Sequence, residues 1–255
     1  MTTTKASRPS AKRRLDVLLV ERGLVLSREQ AHALILARDV LVDGVAATRP
    51  AAPVAADVAI ELKTGAQYAS RGGEKLAGAI ERTSISIEGK RCLDVGASTG
   101  GFTDYLLQHG ATQVVAVDVG YGQILPRLRE DPRVDVRERT NARTMPPLDE
   151  PVRLVTIDVS FISLTMVLPT VIASLAPGGE VFALVKPQFE AGRDEVTKGG
   201  VVRDERVHAS CIGRVALWAI DHGLRLRGVV RSTLIGPAGN REFFLWLQRP
   251  EEAAE

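Results

Sequence analysis

The run Cys92-Leu93-Asp94-Val95-Gly96-Ala97-Ser98-Thr99-Gly100-Gly101-Phe102 constrains the fold of this chain more than any other stretch. An apolar segment stops at an acid, a loop of small residues follows, and Phe102-Thr103-Asp104-Tyr105-Leu106-Leu107 reads as a helix. A second apolar segment, Val114-Val115-Ala116-Val117, ends at Asp118. Strand, glycine-rich loop, helix, strand and terminal acid make a βαβ unit of the kind that holds a nucleoside. Such a loop brings backbone N–H groups at a helix start to the ligand, and a carboxylate after the second strand can take both ribose hydroxyls. A plain structural turn would account for Gly100 and Gly101, but not for acids at the ends of two neighbouring strands.

The type of nucleoside follows from what the loop lacks. A dinucleotide fingerprint, G-x-G-x-x-G, sets bare backbone against a pyrophosphate. Here Ser98 stands at the middle glycine, and Asp94 before the loop would repel pyrophosphate while pairing with an ammonium group. A G-x-x-x-x-G-K-[ST] loop for a nucleoside triphosphate is absent from the sequence. S-adenosylmethionine carries an amino-acid ammonium and no phosphate, so it is the expected cofactor. Asp94, Gly96, Ser98, Thr99, Gly100 and Gly101, with Phe102 opening the helix, are the candidates for its methionine side. Asp118 is the candidate for its ribose. Asn141-Ala142 is the candidate for the adenine edge, although an Asn in a loop is more often a turn residue.

Downstream, strands and helices alternate. The apolar segments Arg91–Val95, Val114–Val119, Val134–Glu138, Leu154–Val159, Val181–Lys186, Leu226–Ser232 and Glu242–Gln248 read as seven strands. The pattern predicts an α/β fold, a Rossmann-like, mostly parallel sheet with helices on both faces. Thr233–Arg241, with Gly236, Pro237, Gly239 and Asn240, is too short for a helical crossover, so the last pair of strands is expected to be antiparallel. The long charged stretch Pro187–Asp204 is expected to cover a site. Ligands in such sheets sit beyond the carboxyl ends of the strands, which puts Asp94, Asp118, Asp158 and Lys186 on one crevice. A lysine closing the apolar strand Val181–Val185 is hard to explain as surface decoration.

The N-terminal part is different. Residues 1–50 hold nine Lys/Arg against five Asp/Glu, a balance of +4 in a chain whose net charge is +2. That asymmetry points to a polyanion partner for this part. Residues 1–12 read as a disordered basic tail, residues 13–62 as a small α+β module, 63–73 as a linker, 74–249 as the large domain and 250–255 as a tail. In the small module, Leu15, Leu18 and Leu19 have helical spacing that Gly23 ends, Ser27-Arg28-Glu29-Gln30 reads as a capping box, and Val40–Val45 turns at Asp43-Gly44. Arg13, Arg14, Arg28 and Arg38 gather around its helix ends. The segment Leu15–Val20 is short and carries Asp16, so it does not read as a signal peptide, and no apolar run is long enough to span a membrane. Cys92 and Cys211 read as buried free thiols in a reducing cytosol, and His32, His109, His208 and His222 lack metal-ligand spacing. The expectation is a cytoplasmic protein without a metal site; oligomeric state is not legible.

Five motifs carry a family resemblance: Ser70-Arg71-Gly72-Gly73-Glu74-Lys75-Leu76, Asp94–Thr103, Asp118-Val119-Gly120-Tyr121-Gly122-Gln123, Asp158-Val159-Ser160-Phe161-Ile162-Ser163 and Lys186-Pro187-Gln188-Phe189-Glu190. Together they resemble the TlyA family over about residues 13–249. Arg14-Leu15-Asp16 and Ser27-Arg28 are similar to the small RNA-binding module named after ribosomal protein S-four, with Asp39 standing where such modules usually carry Gly. The resemblance implies an S-adenosylmethionine-dependent methyltransferase that modifies a ribose 2′-hydroxyl of ribosomal RNA, at a cytidine, within ribosomal subunits. It further implies an FtsJ-like catalytic tetrad of Lys75, Asp158, Lys186 and Glu242, and RNA contacts from Arg13, Arg14, Ser27, Arg28 and Arg38. These residue types suit the reaction, because a ribose hydroxyl is a poor nucleophile whose proton must be removed. A neutral Lys186 would be the base; a charged one would orient the oxygen and stabilise negative charge. Lys75 favours the first state and the two carboxylates the second, so both roles stay open. A base-directed RNA methyltransferase is the alternative, weakened by the absence of prolines in Asp158-Val159-Ser160-Phe161 and by the placement of both cysteines inside elements. The haemolysin label carried by this family suggests a membrane-lytic protein, for which the sequence offers no spanning segment.

Overall fold

The structure, a computed structural model, describes residues 12–25, 27–62 and 67–251. The expected disordered tail over 1–12 therefore lies outside the described residues up to residue 11, as do linker residues 63–66 and tail residues 252–255. The chain divides into two compact units, Met1–Ala66 and Gln67–Glu255.

The first unit runs β1 (Lys12–Arg14), α1 (Leu15–Glu21), α2 (Arg28–Leu36), β2 (Val40–Val42), β3 (Val45–Ala46), β4 (Pro53–Ala55) and β5 (Ile60–Leu62). Leu15 and Leu19 of α1 meet Ala31, Leu34 and Ile35 of α2 and Val40 of β2 in one apolar core. Ser27 caps α2, its Oγ accepting from the Gln30 N–H at 3.1 Å. Asp43 and Gly44 take φ of 49° and 78°, the doubly left-handed turn that lets β2 and β3 pair as a tight hairpin. β1 pairs antiparallel with β4, and β5 joins the far side of β2. Arg14 ends β1 and is the residue before α1. The left-handed residue after α2 is Arg38, with φ 63°, and Asp39 follows it with its side chain turned inward.

The second unit is a seven-stranded sheet in the order β11-β12-β10-β9-β6-β7-β8. Its elements are α3 (Arg71–Ile80), β6 (Arg91–Val95), α4 (Gly101–Gln108), β7 (Gln113–Val117), α5 (Pro126–Arg129), β8 (Val134–Arg137), β9 (Val152–Ile157), α6 (Leu168–Ser174), β10 (Leu175–Val185), α7 (Pro187–Glu190), α8 (Glu205–Asp221), β11 (Arg225–Arg231) and β12 (Phe243–Gln248). β6 pairs in parallel with both β7 and β9, and β9 with β10, as the alternation of strands and helices predicts. β12 runs antiparallel to β10 and to β11. Side chains alternate between two cores. Leu93, Val95, Val155, Ile157, Ala183 and Leu245 enter the one beneath α6 and α8; Cys92, Val114, Leu154, Phe182 and Phe244 enter the one beneath α3 and α4. Covering both faces explains why these strands are continuous apolar runs.

One helix starts earlier than expected. The glycines at 72 and 73 read as linker, but α3 begins at Arg71 with Ser70 as its N-cap. They are glycines for close approach: a Cβ on Gly73 would lie 2.3 Å from Tyr68 Cβ. Pro187–Asp204, expected as an unstructured cover, opens with the short helix α7.

Candidate active site

The cofactor loop folds as a left-handed turn laid across the ends of three strands. Gly96, with φ 87°, has no room for a side chain, because a Cβ there would lie 2.4 Å from the Asp158 carbonyl oxygen. Gly96 and Ala97 both donate to the Val117 carbonyl. Gly100 then starts α4, and a Cβ on Gly101 would lie 2.3 Å from Ser70 Oγ, so the first turns of α3 and α4 abut at the loop.

Asp118 stands after β7 as expected. Its Oδ2 accepts from the Ser98 N–H at 2.8 Å and its Oδ1 from the Gly120 N–H at 2.7 Å. An ionised carboxylate offers about four lone-pair sites, so two amide donors leave capacity for two hydroxyls. Ser98 Oγ also reaches Gln123 Oε1 at 3.3 Å.

Three expected cofactor contacts sit differently. Asp94 is fully buried, with its oxygens taken by Thr103 Oγ1 at 2.7 Å and Thr156 Oγ1 at 3.2 Å. Burial pushes its carboxyl up to about 7 against those two hydrogen bonds. Each of its oxygens thus already accepts one hydrogen bond from a threonine hydroxyl. Phe102 is a core residue, 4% exposed, packed against Phe244, so only its backbone at the start of α4 remains as a candidate contact. Asn141 Oδ1 closes a local turn by accepting from the Arg143 N–H at 3.0 Å, and Ala142 is buried. The simpler turn role therefore accounts for Asn141's carbonyl group.

The four tetrad residues come from four places along the second unit and form two ion pairs. Lys75, from the second turn of α3, meets Glu242 at 2.6 Å, and both side chains are nearly sealed, at 10% and 2% exposure. Lys186, closing β10, lies 2.6 Å from Asp158 Oδ1 and donates to Ser160 Oγ at 2.9 Å. Burial would raise the Asp158 carboxyl, but the charges of Lys186 and Lys75 together hold it below the usual carboxylate range. The influence of Lys75 on Asp158 links the two pairs into one electrostatic group. An exposed helix lysine and a solvent-facing strand glutamate, the bland alternatives for Lys75 and Glu242, do not match this burial.

The motifs around 158–163 and 186–190 prove to be one construction. Glu190 is buried and accepts from Ser163 Oγ and from the Leu164 N–H, each at 2.7 Å, which fastens the 158–164 loop to α7. Phe161 projects from that loop with 90% exposure and a left-handed φ of 64°, its ring 4.9 Å from Phe189. Phe161 thus presents an exposed ring next to Phe189, whose ring centroid lies 6.0 Å from the Lys186 nitrogen. Residue spacing did not single out Phe161. Ser160 and Glu190 were also legible only as motif members.

In the N-terminal unit, Arg13 pairs loosely with Glu21 at 3.9 Å, and Arg38 is exposed. Ser27 uses its hydroxyl oxygen to cap α2. Arg14 and Arg28, from different elements, converge on Asp16, which sequence reasoning did not count as a site residue.

His109, His222, Cys92 and Cys211 make structural contacts. His109 and His222 end α4 and α8, each with Nδ1 at 2.7 Å from the carbonyl four residues earlier. Burial pushes the Cys92 thiol up to about 12 and raises Cys211 as well, so neither is poised as a thiolate nucleophile. Among the described residues no group of three or more His, Cys, Asp or Glu could hold a metal, and no helix is long and apolar enough to cross a membrane.

This chain is similar to known proteins in sequence and fold. Residues 68–249 match the FtsJ-like methyltransferase family, and residues 13–60 match the S4 domain. The 16S/23S rRNA (cytidine-2′-O)-methyltransferase TlyA of Mycobacterium tuberculosis is 48% identical over 245 residues, covering 94% of this chain and 91% of that protein. A solved structure described as a hemolysin from Streptococcus thermophilus superposes with a TM-score of 0.73 at 40% identity, over 96% of this chain and 92% of that one. At the level of fold alone, an S-adenosylmethionine-dependent methyltransferase from Listeria monocytogenes superposes with a TM-score of 0.54 at 15% identity, over 69% of this chain and all 100% of that one.

Proposed function

Because this chain belongs to the TlyA family of FtsJ-like methyltransferases, we propose that it transfers a methyl group from S-adenosylmethionine to the 2′-hydroxyl of a cytidine in ribosomal RNA. The observation that carries the reading is the coupled pair of ion pairs, Lys75 with Glu242 and Lys186 with Asp158, at the strand ends beside the loop. A base-directed enzyme has no use for two lysine–carboxylate pairs, one of them sealed and the other half-buried.

The cofactor fits the residues present. The Gly96 turn leaves backbone where any side chain would collide, and the Asp118 carboxylate keeps acceptor capacity for a ribose diol. Gly96, Ser98, Thr99, Gly100 and Gly101 would hold the methionine part, Asp118 the ribose, and the exposed Asn141 side chain the adenine edge. Bound there, S-adenosylmethionine supplies an electrophilic methyl carbon that leaves its sulfonium sulfur for the incoming oxygen.

The chain's own residues do the rest. Lys186, once its ammonium has released a proton to solvent, takes the proton from the 2′-hydroxyl as the new oxygen–carbon bond forms and the carbon–sulfur bond breaks. Asp158 and Ser160 fix the Lys186 nitrogen, which is positioning more than chemistry. Lys75 and Glu242 form the second wall, and their mutual neutralisation keeps the pocket from repelling either the phosphate backbone or the sulfonium. Phe161 and Phe189 offer a face for the target base. The N-terminal unit, through Arg13, Arg14, Arg28 and Arg38, would grip phosphates and position rRNA within a ribosomal subunit, in the cytoplasm where that substrate lies. No described helix favours the membrane-lytic alternative.

Mass mapping of nuclease-digested rRNA from cells with and without this protein tests the proposal. Loss of a ribose-methylated cytidine fragment of the large-subunit rRNA, of the small-subunit rRNA, or of both is expected when the protein is absent. Identical maps would refute it.

A further inference from the structure

The N-terminal unit holds an acid where an RNA-binding surface would be expected to exclude one. Asp16 is 0% exposed, yet three basic side chains end on it. Arg14 straddles it with a fork, Nε to Oδ1 at 3.0 Å and one terminal nitrogen to Oδ2 at 2.8 Å. Arg28 donates to Oδ2 at 3.0 Å, and His32 Nε2 lies 2.8 Å from the same oxygen. The three partners are half-exposed, at 48%, 53% and 45% of their side-chain surface. We propose that Asp16 is the positioning residue of a phosphodiester site, fixing Arg14 and Arg28 as two rigid forks with His32 beside them on the same carboxylate. The inference rests on the reading above that this unit engages rRNA, and adds which atoms build the site.

Two guanidinium groups aimed at one point repel each other and spread if nothing lies between them. A carboxylate in the middle removes that repulsion and fixes both planes at once. Each guanidinium has five N–H donors, and Asp16 takes only part of each set. The rest form planar, preorganised donors of the kind that match the two free oxygens of a phosphodiester. The hydrogen bonds from Arg14, with those from His32 and Arg28, outweigh burial and hold the Asp16 carboxyl well below the usual carboxylate range, so the anion persists in neutral buffer. The backbone N–H of Val17 also donates to Oδ1 at 3.0 Å, which anchors the acid to the start of α1.

The proposal makes a prediction opposite in sign to simple electrostatics. Asp16→Asn removes a negative charge and raises the net charge of the unit by one, so a charge-only view predicts tighter RNA binding. Loss of positioning predicts weaker binding, by roughly tenfold. The test is fluorescence anisotropy of the full chain with an rRNA fragment and with an unrelated RNA hairpin, across a salt series. Asp16→Asn should weaken both and flatten the salt dependence by about one phosphate per lost contact. Arg14→Lys and Arg28→Lys keep the charge but lose the fork, and should bind about as poorly as Arg14→Ala and Arg28→Ala. Unchanged or tighter binding by folded Asp16→Asn overturns the proposal. If circular dichroism shows that this variant does not fold, wild-type binding by both lysine variants overturns it instead. Methyl transfer is scored separately: tight RNA binding without rRNA methylation would fault the proposed function and leave Asp16's role standing.

Discussion

Glu242→Gln is the most informative perturbation of the second unit. Glu242 and Lys75 lie 2.6 Å apart with side chains 2% and 10% exposed, so solvent screens neither. Neutralising Glu242 leaves an ammonium in a site closed by Gly236 and the sheet, with a Gly236 Cβ position only 2.6 Å from Glu242 Oε1. Removing one partner of such a pair costs about 3–5 kcal/mol, because the other charge stays buried. For a unit of this size that is a fall in melting temperature on the order of 10 °C. Both tryptophans, Trp218 and Trp246, belong to the second unit, so intrinsic fluorescence reports its unfolding without interference from the first. Replacing the pair together, Lys75→Met with Glu242→Leu, should return stability to within about 1 kcal/mol of wild type or above it, since an apolar pair needs no desolvation. The double variant should still be inactive. A loss under about 1 kcal/mol for Glu242→Gln would refute the claim that this ion pair is sealed, and with it the tetrad's lower wall.

Other consequences follow from the same geometry. Asp118→Ala should weaken S-adenosylmethionine binding about tenfold or more by calorimetry, since charge-assisted hydrogen bonds to the ribose are lost. Lys186→Arg keeps a permanent charge and should abolish methyl transfer if Lys186 is the base; substantial turnover by this variant at any pH would reduce Lys186 to an orienting group. Asp94 carries a carboxyl raised to about 7 in the fold from a reference of 3.8. Its protonated form contributes stability that is complete below the reference value of 3.8 and is lost as pH rises from there to about 7, so the second unit should weaken across that interval and level off above it. Asp94→Asn should flatten that slope in urea melts at each pH; an unchanged slope would contradict the assignment.

Much of the second unit was legible because its signals are local. The acid, the small-residue loop and the second acid fall within residues 94–118, where strand, turn and helix follow one another directly. The short connection Thr233–Arg241 likewise dictated the antiparallel direction of β12. What was not legible depends on contacts distant in sequence. Gly72 and Gly73 look like linker residues until Tyr68 and α4 are seen against them. Asp94 looks like a ligand-facing acid until Thr156, from another strand, is seen taking one of its oxygens. Lys75 and Glu242 are 167 positions apart, and only the folded sheet brings them together; family resemblance, not spacing, put them on one site. Asp16 was legible as a member of the Arg14-Leu15-Asp16 motif but not as a site residue, because its three partners converge on it only in the folded unit.

The central claim is that this site methylates a ribose oxygen. Purified protein, methyl-labelled S-adenosylmethionine and ribosomal subunits, followed by digestion to nucleosides and fragmentation in a mass spectrometer, test it most directly. The label should travel with the sugar fragment of cytidine, and Lys186→Ala should remove it. Label on the base fragment, or equal labelling by the Lys186→Ala variant, would contradict the claim.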